Sequence, residues 1–250
     1  MKLLLSLLSW ALLPVYIVQG LAVRARSIRL PPASGPVSGR LGEGSGKSAI
    51  RLLVFGDSTA AGVGLDSTEH GLAALLAHEL HERTGQTVSW RTSGNNSAVA
   101  EQLRDHVVPH IAAGDPTHIL ISVSTNDAKN MHTVARFKRG FGELLYATRA
   151  KWPRARIYWN EGVDPRLVPA LPSPLADIIW MRRELLNAKG RQLCLERGAT
   201  AVEPLPIKPH PTAFSIDGFH AGREGYAAWA RHVADVMVAD LEAAGPESAA

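Results

Sequence analysis

From residue 51 onward the chain alternates two kinds of apolar pattern. Short continuous or alternating runs occur at Arg51–Phe55 (RLLVF), Thr87–Arg91 (TVSWR), His118–Val123 (HILISV), Arg156–Trp159 and Thr200–Val202. Runs of that length, rich in β-branched and aromatic residues, predict strands. Between them apolar residues recur every three or four positions, which predicts helices. Gly71–Glu82 places Leu72, Leu75, Leu76 and Leu80 on one face, and Ser97–Ile111 does the same with Val99, Leu103, Val107 and Ile111. Val134–Lys151 carries Phe137, Phe141, Leu144 and Leu145 and is stopped by Pro153. Leu175–Arg197 ends at Gly198, and Gly225–Leu241 is a closing amphipathic helix. Apolar strands separated by helices predict a parallel sheet buried on both faces. Right-handed crossovers make this a three-layer α/β/α sandwich with a five-stranded parallel sheet.

The first 50 residues follow neither pattern. Residues 3–23 (LLLSLLSWALLPVYIVQGLAV) carry no charge. That length is enough to cross a bilayer core of about 30 Å, so it predicts a membrane anchor or an export signal. A cell-envelope or periplasmic address is the expectation, with the side of the membrane undetermined. Residues 24–49 are dominated by Pro, Gly and Ser and predict a linker. Within them Gly46-Lys47-Ser48 imitates the end of a phosphate-binding loop. The glycine such a loop needs five residues earlier is Leu41, and a linker rather than a strand precedes it. The expected layout is thus an N-terminal membrane segment (1–23), a linker (24–49), one α/β domain (50–243) and a tail (244–250).

Charge alters the reading in one respect. The chain holds 27 Lys/Arg against 23 Asp/Glu. Six of the bases and one of the acids fall in residues 1–50, so the body is close to neutral. A basic groove for nucleic acid is not expected. The single cysteine, Cys194, excludes an internal disulfide and a cysteine-rich zinc site. His78-Glu79-Leu80-His81 lacks the spacing of a zinc-binding HExxH and predicts a solvated helix face. The tryptophans at 90, 152, 159, 180 and 229 are scattered, as core residues are.

In parallel sheets the working groups gather at the carboxyl ends of strands. After the first strand stands Gly56-Asp57-Ser58-Thr59, after the second Ser93-Gly94-Asn95, and after the third Ser124-Thr125-Asn126-Asp127. Near the C-terminus stands Asp217-Gly218-Phe219-His220. Taken singly, each has a commoner explanation: a helix cap, a turn glycine, an Asx-turn. Together they supply one of each group that acyl transfer needs. Ser58 can attack. His220 can take its proton. Asp217, three residues before His220, can orient the imidazole. Gly94 can offer a bare backbone N–H and Asn126 a side-chain amide to an oxyanion. The turn at Ser58 is not the G-x-S-x-G elbow, since Ala60 stands at the second glycine.

These four blocks resemble the SGNH, or GDSL-type, hydrolases. The letters of that name fall on Ser58, Gly94, Asn126 and His220, and Gly225-Tyr226 resembles the glycine-tyrosine that follows the family's histidine. The likeness covers about residues 50–243. The sequence departs from the pattern at Ser124, where a glycine is usual, and at Ala221, where proline is common. The resemblance implies a flavodoxin-like α/β/α fold and a serine esterase or lipase. Ser58, His220 and Asp217 would then be catalytic, and Ser58, Gly94 and Asn126 would form the oxyanion hole, with neither metal nor cofactor. Its substrate would be a small-molecule, lipid or sugar acyl ester. An O-acyltransferase or carbohydrate deacetylase would use the same residues, and a non-catalytic binding domain would have no need of all three. Residues 165–172 (PRLVPALP) interrupt the strand–helix rhythm and predict a long loop beside the site.

Overall fold

The computed structural model describes residues 1–44, 48–205 and 210–244. Two helices open the chain, α1 (Lys2–Ala11) and α2 (Leu13–Arg26). Then follow β1 (Ser38–Leu41), β2 (Ile50–Gly56), α3 (Leu72–Thr84) and β3 (Val88–Gly94). A short α4 (Ala100–Gln102) precedes β4 (His118–Ser122), α5 (Thr125–Lys129) and α6 (Val134–Lys151). The fold closes with β5 (Arg156–Asn160), α7 (Leu175–Glu196), β6 (Thr200–Val202) and α8 (Arg223–Ala244).

Among the described residues six strands form one sheet in the order β1-β3-β2-β4-β5-β6. All neighbours are parallel except β1, which runs antiparallel to β3. Successive strand residues feed opposite cores. Leu53, Phe55, Ile119, Ile121 and Trp159 pack with Phe137 and Phe141 of α6 and Leu186 and Leu193 of α7. Leu52, Val54, Leu120 and Tyr158 pack with Leu72, Leu76 and Leu80 of α3 and Val233 and Met237 of α8. Both sheet faces are therefore dry, and the strands read as continuous apolar runs. Cys194 lies inside the first core, 1% exposed, and burial pushes its thiol up to about 12.

The α/β/α sandwich stands as expected, with three corrections. The sheet has six strands rather than five, because residues 38–41 of the expected linker form β1. Ser-Gly-Arg-Leu has no apolar alternation. The strand is an edge held by backbone pairing, and Gly39 lies flat under Trp90, where a Cβ would come within 2.6 Å of the indole nitrogen. The expected helix over 97–111 keeps its apolar face, since Val99, Leu103, Val107 and Ile111 are buried. Its backbone, however, is α-helical only through α4, then widens to a π turn at Leu103–Val107 and tightens to 3₁₀ at Val108–His110. Pro109 has no N–H to continue the ladder. Of the imitation phosphate loop, Gly46 and Lys47 lie outside the described residues.

The expected 21-residue apolar segment is not one rod. α1 and α2 are bent by 64° around Leu12, with Pro14 in the first turn of α2. A proline ring there cannot accommodate the carbonyl four residues back. No single described helix is long and apolar enough to cross a membrane. The pair lies on α7. The Arg182 guanidinium, buried and with no carboxylate partner among the described residues, donates to the carbonyl of His132 and stacks 4.8 Å from the Trp10 ring. Leu175 N–H donates to Gln19 Oε1, and Tyr16 OH donates to the carbonyl of Lys129. Outward, Leu3, Leu4, Leu7 and Val18 are exposed.

Gly190 of α7 shows how tightly the helices seat. A Cβ there would fall 2.2 Å from Cη2 of Trp159, whose ring is fully buried and whose Nε1 donates to the carbonyl of Val123 at 2.8 Å. In an open helix alanine would be favoured over glycine by about 1 kcal/mol. Here overpacking costs about 1–3 kcal/mol and decides the sign. Gly190→Ala is therefore expected to lower stability in urea unfolding, and a more stable variant would show that Trp159 has room to move.

Candidate active site

The site begins at the carboxyl end of β2. Asp57 N–H donates to Ser122 O at 3.0 Å, extending the β2–β4 ladder one residue past Gly56. The chain then turns: Thr59 N–H donates to Asp57 Oδ1, and Val63 N–H to the carbonyl of Ser58. Tyr226 of α8 lies beneath, its hydroxyl 3.3 Å from the carbonyl of Val63. This turn leaves Ser58 at the surface of a cavity of about 560 Å³. Ser58, Asn126 and His220 share its wall with Asp57, Thr59 and Lys129. Val163, Pro165, Val168, Leu171, Phe214 and Phe219 make much of the rest. The irregular stretch 165–172 therefore borders the site, as its broken rhythm predicts.

His220 is held by its own turn. Gly218 sits at φ +64°, the left-handed region that favours glycine, and lets the chain fold back on Asp217. Asp217 Oδ1 accepts from the N–H groups of Phe219 and His220, each at 2.9 Å, and from Ser215 Oγ at 2.7 Å. Asp217 Oδ2 meets His220 Nδ1 at 2.6 Å. Burial raises the Asp217 carboxyl, but this set of donors outweighs it and holds the group below the usual carboxylate range. A carboxylate on Nδ1 leaves Nε2 as the free nitrogen. The carbonyl of Gly218 also accepts from Ala170 N–H, tying the turn to the loop that walls the cavity.

Asn126 is buried in α5. Its Nδ2 donates to the carbonyl of Ala98 at 3.1 Å and stands 3.4 Å from Asp57 Oδ2. The next residue, Asp127, accepts from Ala100 N–H and from His132 Nδ1, which fastens α5 to α4. Gly94 ends β3 in register with Gly56. It packs against Ala61, whose N lies 2.2 Å from where a Cβ would be, and it stands beside the cavity rather than in its wall. The structure thus brings Ser58, Asn126 and His220 to one cavity, with Asp217 behind His220 and Gly94 at the adjoining strand end. Among the described residues no group of His, Cys, Asp and Glu could hold a metal ion.

Two further titratable groups line the cavity with Ser58: Asp57 from the first motif and Lys129 from outside the motifs. Asp57 is 4% exposed, and burial pushes its carboxyl up to about 6 against the opposing pull of its Thr59 hydrogen bonds and the Lys129 charge. Lys129 is depressed, chiefly by burial, with Asp57 acting in the other direction. A lysine one turn beyond Asn126 is the signal that spacing alone could have offered for it.

Ser124, where the family pattern has glycine, sits at φ +133°, and its buried Oγ has no hydrogen-bond partner among the described residues.

The model of the GDSL-like lipase/acylhydrolase family matches residues 54–228. A GDSL-like esterase of Mycobacterium tuberculosis is 24% identical over 192 residues, which are 71% of this chain and 58% of that protein. The chain thus spans less than two thirds of the relative's length. Among solved structures, a psychrotrophic esterase of a Pseudoalteromonas species superposes with a TM-score of 0.61 at 17% identity, over 77% of this chain and 98% of that one. A family 3 carbohydrate esterase of Clostridium thermocellum gives 0.59 at 16%, over 78% and 98%. A carbohydrate acetylesterase of Sinorhizobium meliloti gives 0.56 at 16%, over 76% and 99%. At these identities the structures establish the shared fold.

Ser124, next to the wall residue Thr125, and Asp57, in the wall, each generate a stability prediction. Strain at a glycine-only conformation is about 1–3 kcal/mol, and added glycine entropy returns about 0.5–1 kcal/mol. Ser124→Gly is therefore expected to raise the unfolding midpoint, and a lower one would show that Ser124 is not strained. For Asp57 the pH dependence has a definite sign. The unfolded carboxyl loses its proton near pH 4, while the folded one keeps it to about pH 6. The folded state binds more protons in that window, so stability falls as pH rises from 4 to 6. Asp57→Asn is expected to be more stable than the parent above pH 7 by about 1–3 kcal/mol. The gap should close towards pH 4 in urea unfolding, and a gap independent of pH would refute the burial argument.

Proposed function

The chain belongs to the GDSL-like lipase/acylhydrolase family, and from that membership we propose that it hydrolyses carboxylic esters through Ser58. The observation that carries this reading is the Asp217–His220 pair, bonded at 2.6 Å and turned towards the cavity that Ser58 lines. A structural ion pair would not need to open on a cavity, and a binding module would not need a serine beside it.

In this reading Ser58 Oγ attacks the acyl carbonyl while His220 Nε2 takes its proton. Asp217 stabilises the imidazolium so formed and keeps the ring in the productive tautomer. The tetrahedral oxyanion is received by the backbone N–H groups of Ser58 and Gly94 and by the Asn126 amide, whose long contact to Asp57 is the bond it can release. Collapse breaks the ester C–O bond, and His220 returns the proton to the leaving alcohol. Water then repeats the sequence on the acyl-enzyme, releasing the acid and freeing Ser58. The apolar wall suits the acyl part, and a cavity of this size falls in the range of small-molecule sites.

The test is 4-nitrophenyl ester hydrolysis across acyl lengths, with fluorophosphonate labelling as a second readout. Wild type is expected to turn over and to be labelled. Ser58→Ala should lose labelling and about 10³-fold or more of its rate. A folded wild type that is neither active nor labelled would remove Ser58 as nucleophile.

A further inference from the structure

The esterase chemistry leaves a half-buried lysine on the cavity wall without a task. Lys129 closes α5, three residues beyond Asn126. Its Nζ stands 5.6 Å from the centroid of the Phe219 ring, next to His220. Among the described residues no ion pair or hydrogen bond holds that amine. The two other cations of the wall are placed differently: Arg183 donates through Nε to the carbonyl of Gly162 at 2.7 Å and pairs with Glu184, and Arg231 of α8 is exposed to solvent. The acid whose field reaches Lys129 is Asp57, itself buried and donated to by Thr59 N–H. Phe219 faces the amine, and Val168 and Ile179 add apolar surface to the same cavity wall. A cation kept from water in such surroundings is costly unless an anion arrives to meet it.

We propose that Lys129 receives a carboxylate of the substrate, so that the esters this site takes carry one negative charge besides the scissile bond. One unpaired amine in a largely apolar wall matches a monoanion. A phosphate dianion would call for a clamp of several donors. The cation–π contact fixes the amine beside Phe219, the chain neighbour of His220, which places the substrate's charge within the cavity and not at its rim. The assignment rests on the esterase reading above and adds to it a choice of substrate class.

The experiment compares a neutral ester with two anionic ones. 4-Nitrophenyl valerate is the neutral probe. 4-Nitrophenyl hydrogen glutarate carries a carboxylate on the acyl side, and 4-butyryloxy-3-nitrobenzoate carries one on the alcohol side. For each enzyme the quantity read is kcat/KM of the anionic ester divided by that of the neutral one. In Lys129→Met this ratio should fall about 10-fold or more for one of the two anions, because a charge-assisted contact is lost. Lys129→Arg, which keeps the charge, should restore most of it. Fluorophosphonate labelling of each variant reports an intact Ser58 and a folded site. If labelled variants hydrolyse the neutral ester and neither ratio moves, the Lys129 assignment is overturned while the esterase stands. If the wild type is neither labelled nor active on any probe, both readings fall together.

Discussion

Much of the site depends on how closely β2 approaches β4 at their carboxyl ends. A Cβ at Gly56 would lie 2.1 Å from the carbonyl oxygen of Ser122. Without one, the two strands stay paired through their last residues, and Asp57 N–H still reaches Ser122 O. The carbonyl of Gly56 accepts from Asn95 N–H, so the same residue also fixes the end of β3. Three strand ends are thereby gathered around one glycine. The turn that follows can only leave the sheet upward, and it carries Ser58 to the mouth of the cavity beside α5.

The second half of the site is built on a different principle. The sheet does not position His220. A local turn does, organised around a single carboxylate that collects two backbone N–H groups, a hydroxyl and the imidazole. Docking α8 against α3 brings that turn over the end of β2. The two halves are joined by Tyr226, which reaches from the first turns of α8 to the Ser58 loop. Between them lie Asp57, buried, and Lys129, half-buried, opposite charges on one cavity wall. The field inside the cavity is therefore set by more than Asp217 and His220, and its apolar walls strengthen every charge left in it.

What could be read from the chain follows from which physical signals are local. The buried strands announce themselves as apolar runs because both of their faces are dry. α6 falls on its expected bounds, since its apolar period and Pro153 mark both the face and the stop. β1 could not be read, because an edge strand of Ser-Gly-Arg-Leu buries little and is held by backbone pairing. The bend at Leu12 was written in Pro14, but a long apolar run masked it. The motif residues Ser58, Asn126, Asp217 and His220 were legible because strand ends and turn chemistry are local features. The cavity wall was not, because it is assembled from Val163–Leu171, Phe214 and Phe219, segments whose meeting depends on the whole fold.

Cys194 gives the molecule a property of practical weight. It is the one thiol in the chain, and it is sealed in the core with its ionisation suppressed. Thiolate reagents act on the ionised form, so the native protein is silent towards them. A cysteine introduced on the loop at 165–172 would then be a unique handle. A fluorophore or spin label placed there would report motion of the cavity wall with no background from the rest of the chain.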